Sequence, residues 1–92
     1  MYSIKTTNRF KKDFKLCEKR NYDFSFFDEV FDELMELGKL TQKNKPHILS
    51  ANYSNHWECH IKPDWLLIWL QDEDEKTITL VRTGTHSDLF KK

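Results

Sequence analysis

Glycine and proline occur only twice each in 92 residues, and so does cysteine. So few turn-forming residues argue against a loop-rich fold. Cys17 and Cys59 supply neither a disulfide framework nor a four-ligand zinc motif, which fits a reducing, intracellular setting. Long apolar runs are also missing. The longest, Trp65 to Leu70, falls far short of the roughly 20 residues that cross a bilayer. The start, Met-Tyr-Ser-Ile-Lys, lacks the apolar core of a secretory signal. Net charge is absent too, with 15 Lys and Arg against 15 Asp and Glu, so neither a polycationic arm nor an acidic tail is present. There is no internal repeat, linker or low-complexity tract. The expectation is one soluble, cytoplasmic domain over residues 1–92, without membrane contact.

Aromatic side chains are plentiful at 14%, as expected of a chain that folds around a core. The balanced charge is segregated along the chain. Residues 1–22 hold seven basic and two acidic side chains, 23–38 six acidic and none basic, 39–47 three basic, and 48–92 five basic and seven acidic. Tyr2 to Thr6 reads as a short edge strand, and Thr7 or Asn8 as an N-cap. Phe10, Phe14 and Cys17 follow at helical spacing, with Lys11, Lys12 and Lys15 largely outside the stripe. A second stripe, Phe27, Val30, Phe31, Leu34 and Met35, predicts a helix opened by a Ser25–Asp28 capping box and closed by Gly38.

Residues 39–55 read as an irregular loop. The period then changes to two: Trp57, Cys59 and Ile61 alternate with Glu58, His60 and Lys62, a half-buried strand. Pro63-Asp64 makes a turn. Trp65 to Leu70 is apolar throughout, as in a central strand covered on both faces. Asp72 to Glu75 is a hairpin tip, Thr77 to Arg82 a further strand, and Thr85 to Phe90 a short tail. The predicted fold class is α+β: β-α-α followed by an antiparallel β-meander, with two helices packed on one sheet.

Neighbouring strands of such a meander bring His60, Asp64, Arg82 and His86 to one end of the sheet, with His47 in the preceding loop. Imidazoles that move protons near neutrality, beside a guanidinium that holds phosphate, are the equipment for metal-free phosphodiester cleavage. Each residue also has a plainer reading: exposed loop histidine, cross-strand pair, turn cap or surface ion pair. A metal reading rests on His56, Cys59 and His60, whose spacing converges on a helix. On a strand it turns Cys59 away from the two histidines, and no fourth ligand is evident.

The segments His60-Ile-Lys-Pro-Asp-Trp-Leu-Leu-Ile-Trp69 and Arg82-Thr-Gly-Thr-His-Ser-Asp-Leu-Phe90 resemble the YafQ branch of the RelE toxin superfamily, and the likeness extends over essentially the whole chain. The resemblance implies a RelE-like microbial ribonuclease fold. It implies a type II toxin that cuts mRNA in the A site of the 70S ribosome, by attack of the 2′-hydroxyl on the adjacent phosphate, with no metal or other cofactor. A cognate antitoxin, of ribbon-helix-helix type, would neutralise the toxin in a hetero-oligomer, and the free toxin would be a monomer. A catalytically inactive binding module of the same fold is the alternative.

By position, the resemblance assigns His47, His60, Asp64, Arg82 and His86 to catalysis and Trp65 and Phe90 to packing or stacking near the substrate. His86 would protonate the leaving 5′-oxygen, and His60 or Asp64, with His47, would take the 2′-hydroxyl proton. Arg82 would stabilise the phosphorane-like state. The stretch Ile48 to Trp57 departs from the pattern in lacking Gly, Lys and Arg. Phosphate contacts then fall to Lys11, Lys12 and Lys15 of the first helix and to Lys39, Lys43 and Lys45.

Overall fold

Two amphipathic stripes and one strand buried on both faces organise the chain. The computed structural model describes residues 1–90. The elements are β1 (Ser3–Thr6), α1 (Asn8–Lys19), α2 (Phe24–Leu37), β2 (His47–Ile48), β3 (Trp57–Lys62), β4 (Trp65–Asp72), β5 (Thr77–Gly84) and α3 (His86–Phe90). One sheet runs in the order β1-β5-β4-β3-β2. Strands β2 to β5 pair antiparallel, and β1 lies parallel to β5. The class is α+β, as the pattern of elements predicts, with a mixed sheet and three helices rather than two.

The helical stripes bury where the spacing puts them. Phe10 and Cys17 of α1 and Phe27, Val30 and Leu34 of α2 pack against Cys59, Ile61, Trp65, Leu67, Trp69, Ile78 and Leu80. Burial pushes the Cys17 thiol up to about 11 and the Cys59 thiol still further, so both are packing groups rather than nucleophiles. Cys59 alternates with His60 and sits in this larger core, so it does not join His56 and His60 in a metal site. On the other sheet face Leu66, Ile68 and Leu89 form a smaller core with Leu49, Tyr53, Val81 and Phe90. Strand β4 therefore feeds both cores, which explains its unbroken apolar run.

Three local expectations are corrected. The α2 N-cap is Asp23, not Ser25: its carboxylate accepts the Ser25 N–H at 3.0 Å and the Ser25 hydroxyl at 2.7 Å, and the helix starts two residues earlier than predicted. The loop 39–55 contains strand β2 and two single 3-10 turns, Gln42–Asn44 and Ala51–Tyr53. Asn44 ties the first of these to β3 by donating to the His60 carbonyl at 2.9 Å. Thr85 to Phe90 is not a tail, because α3 lies on the sheet face opposite α1 and α2, anchored by Leu89. Gly38 does close α2, at φ 68°, where an added Cβ would lie 2.3 Å from the Tyr2 ring.

Candidate active site

Strand β1 ends opposite Leu80, so β5 continues beyond it with no parallel neighbour. The start of α1 supplies the missing partners. The Thr7 N–H donates to the Leu80 carbonyl at 3.1 Å. The Thr7 hydroxyl donates to the Val81 carbonyl at 2.9 Å while accepting the Phe10 N–H, which makes Thr7 the α1 N-cap. Two turns later Asp13 accepts the Thr83 N–H at 3.1 Å. The same carboxylate takes the Arg82 guanidinium bidentately, Nε at 2.6 Å and Nη2 at 3.2 Å. Both side chains are about nine-tenths buried. Asp13, together with the Tyr53 hydroxyl 3.3 Å from Nη1, raises the Arg82 pKa further. Arg82 is thus a fixed, half-neutralised charge at the edge of the site rather than a free phosphate clamp.

Asp13 and Tyr53 were not among the expected site residues. For Asp13 the signal is in the sequence: it lies three residues after Phe10 and four before Cys17, on the buried side of an amphipathic helix. A carboxylate placed there requires a cationic or N–H partner.

Helix α3 opens on a reciprocal capping box. Thr85 Oγ1 accepts the Asp88 N–H at 3.1 Å, and the Asp88 carboxylate accepts the Thr85 N–H at 2.9 Å. Asp88 also takes both terminal nitrogens of Arg20, at 2.7 and 3.1 Å, which clamps the end of α1 to α3. Gly84 is required just before, at φ 152°, because a Cβ there would lie 2.7 Å from the Asp88 carboxylate.

The cap and clamp carry a pH signature. The Arg20 guanidinium, with help from Thr85, holds the Asp88 carboxyl well below the ordinary range. A lowered carboxylate pKa favours the folded state above the unfolded value of about 3.9, and that stabilisation is lost as pH falls through the folded value. Asp88→Ala is expected to lose about 1–2 kcal/mol at pH 7. Denaturant unfolding as a function of pH checks this: the gap to the unaltered chain should close in acid, and a gap that stays constant would contradict the pairing.

His86, the first residue of α3, meets Asp64 in the β3–β4 turn. Asp64 Oδ1 accepts both the His86 backbone N–H, at 2.9 Å, and its Nδ1–H, at 2.6 Å. These two bonds hold the Asp64 carboxyl below its ordinary range although it is exposed. They also set the tautomer: Nδ1 carries the hydrogen, and Nε2 is left to exchange a proton with a substrate. The His60 ring stands 5.8 Å from the His86 ring, centroid to centroid, on the same sheet face. No side-chain hydrogen bond engages His60 among the described residues.

The remaining expected residues divide. His47 is not in a loop but in β2, opposite Glu58. Its Nδ1 lies 3.0 Å from the Lys45 carbonyl and its Nε2 3.0 Å from the buried Glu58 carboxylate. Both partners are acceptors, so each contact is a hydrogen bond only when the ring nitrogen facing it carries a hydrogen. Phe90 packs in the smaller core, edge-on to Tyr53 at 6.0 Å. Of the two expected roles, packing or stacking, Trp65 takes packing: only 3% exposed, it lies within the larger core between Tyr22, Phe24 and Phe27, with its indole N–H on Thr83. It supports the site from beneath and offers no free face for stacking. Lys11, Lys12 and Lys15, expected to contact phosphate, lie on α1. They are exposed on a helix that covers the sheet face opposite His60 and His86, and Lys11 and Lys15 rim a cleft floored by Phe10, Phe14, Phe27 and Phe31.

A family model described as the bacterial toxin of type II toxin–antitoxin systems, YafQ, matches residues 2–91. The mRNA interferase toxin YafQ of Escherichia coli (strain B / BL21-DE3) is 32% identical over 88 residues, 95% of this chain and 94% of that protein. A metal-bound toxin from Helicobacter pylori superposes with a TM-score of 0.88 at 38% identity, covering 98% of this chain and all of the other. The E. coli DinJ–YafQ complex gives 0.87 at 31% identity, covering 98% and 99%.

Proposed function

Because this chain belongs to the YafQ family of type II toxins, we propose that it is an endoribonuclease that cuts mRNA in the ribosomal A site, by metal-independent attack of the ribose 2′-hydroxyl. The observation that carries this reading is the pair of imidazoles, His86 oriented by Asp64 and His60 beside it, on an exposed part of the sheet. Cleavage of this kind needs two proton transfers on opposite sides of one phosphorus. His60 takes the 2′-hydroxyl proton as the 2′-oxygen bonds to phosphorus. His86, entering the step with a hydrogen on both ring nitrogens, gives the one on Nε2 to the 5′-oxygen as that bond breaks and keeps the Nδ1–H on Asp64. The products are a 2′,3′-cyclic phosphate and a 5′-hydroxyl.

Asp64 acts as the orienting group rather than the base. It already accepts two N–H groups, and its lowered pKa makes it a poor proton acceptor. Arg82 offsets charge developing on the phosphorane from a guanidinium that Asp13 fixes in place. His47, paired with Glu58, holds β2 against β3. A cognate antitoxin with a ribbon-helix-helix domain neutralises the toxin, which is a monomer when free.

The test is a translating extract with the chain added and the RNA ends identified. The expected result is cuts at A-site positions that leave cyclic or 3′-phosphate and 5′-hydroxyl ends. Ends bearing 5′-phosphate would point to metal-activated water and overturn the mechanism, and an absence of cuts would favour the binding module.

A further inference from the structure

The lysines of α1 sit on the helix that covers the other sheet face, so an RNA strand at the imidazoles needs cations from elsewhere. A different cationic surface adjoins them. A groove of about 420 Å³ runs from His60 between the Gln42–Asn44 turn and the end of β3, lined by Phe26, Lys43, Asn44, Lys45, His60 and Lys62 among others; no acidic side chain lines it, and Glu29 of α2 pairs with Lys43 from outside it at 3.5 Å across an exposed contact that phosphate can displace. Its parts are held in place. Buried Asn44 fixes the turn to the His60 carbonyl at 2.9 Å. Lys45 adopts a left-handed backbone, φ 51°, although it is not glycine, and its carbonyl faces the His47 ring. Such a conformation persists only where the surroundings impose it. The Lys62 ammonium rests 3.9 Å from the Phe26 ring centroid, at the ridge between this groove and a second hollow that reaches Asp64.

Resting on the ribonuclease reading, we infer that this groove binds the RNA strand adjacent to the scissile phosphate, with Lys43, Lys45 and Lys62 contacting successive backbone phosphates. Phe26 is a positioning residue that holds Lys62 at the mouth of the site. An acidic protein segment has similar charge. RNA is favoured because the groove begins at His60, where the scissile phosphodiester must lie.

The test measures binding of a short single-stranded 2′-O-methyl RNA, which lacks the attacking hydroxyl, to the full chain at several salt concentrations. The triple variant Lys43→Gln, Lys45→Gln, Lys62→Gln should bind about tenfold more weakly at low salt. Its slope of log affinity against log salt should be shallower by about 2, at roughly 0.7 per phosphate contact. The triple variant Lys11→Gln, Lys12→Gln, Lys15→Gln should change affinity by less than about twofold, as its lysines lie on the other face. An unchanged slope in the groove variant, equal loss in the α1 variant, no binding by the unaltered chain, or loss of antitoxin binding alone would each overturn the inference. If the unaltered chain binds RNA through these lysines but never cleaves it, the ribonuclease reading fails while the groove stands. If it cleaves and the groove variant cleaves and binds equally well, the reverse holds.

Discussion

His86→Ala is expected to lower RNA cleavage by about 10²–10⁴-fold, the usual contribution of a positioned proton donor or acceptor, while leaving the unfolding curve nearly in place. The separation of the two effects follows from position. The His86 side chain is half exposed, and α3 retains its capping box, its Arg20 clamp and the Leu89 anchor without it. What disappears is the nitrogen aimed by Asp64. Asp64→Asn should give a smaller loss, because the amide oxygen still accepts one hydrogen bond but no longer offsets charge on the imidazole. A cleavage time course with each variant decides it. Undiminished cleavage by His86→Ala would remove this histidine from the mechanism.

Asp13→Ala should destabilise the fold by about 3–5 kcal/mol, a large share of the 5–15 kcal/mol typical of a whole domain. The cost comes from what is left behind. Arg82 would remain a buried cation without its carboxylate, and the Thr83 N–H, on an edge that β1 does not reach, would lose its acceptor. Urea unfolding measures the effect, and a loss under about 1 kcal/mol would contradict the buried pairing. The double variant Asp13→Leu, Arg82→Met separates structure from chemistry. Replacing both ions with apolar side chains should recover much of the stability, whereas cleavage should remain low because the guanidinium is gone. Recovery of both would show that Arg82 has no chemical role.

Those two residues mark how far sequence reasoning reaches in this protein. Phe27, Val30 and Leu34 declare α2 through spacing, and Trp65 to Leu70 declares the central strand through continuity, because hydrophobic burial on one or two faces leaves a periodic trace. His60, Asp64 and His86 are legible as a group because a short turn and a meander bring them together. By contrast, α3 buries one leucine in five residues and β2 spans only two, too few positions to establish any period. Asp23 and Ser25 are both competent caps, and only the hydrogen bonds choose between them. The direction of Arg82 depends on where β1 stops, a tertiary fact. The lysines of α1 show a related limit: charge is legible in sequence, but the sheet face it lies over is not.

The parallel pairing of β1 with β5 also bears on how the toxin is made. Asp13 meets Arg82 across 69 residues and Arg20 meets Asp88 across 68. High contact order of this kind delays assembly until distant segments are available. A nascent chain emerging from the ribosome therefore has its first strand and both large helices in solution while their partners are still unsynthesised. The imidazoles, the fixed guanidinium and the clamped α3 come together only after β5 and α3 have emerged. Synthesis order thus makes the candidate site one of the last features of the fold to form.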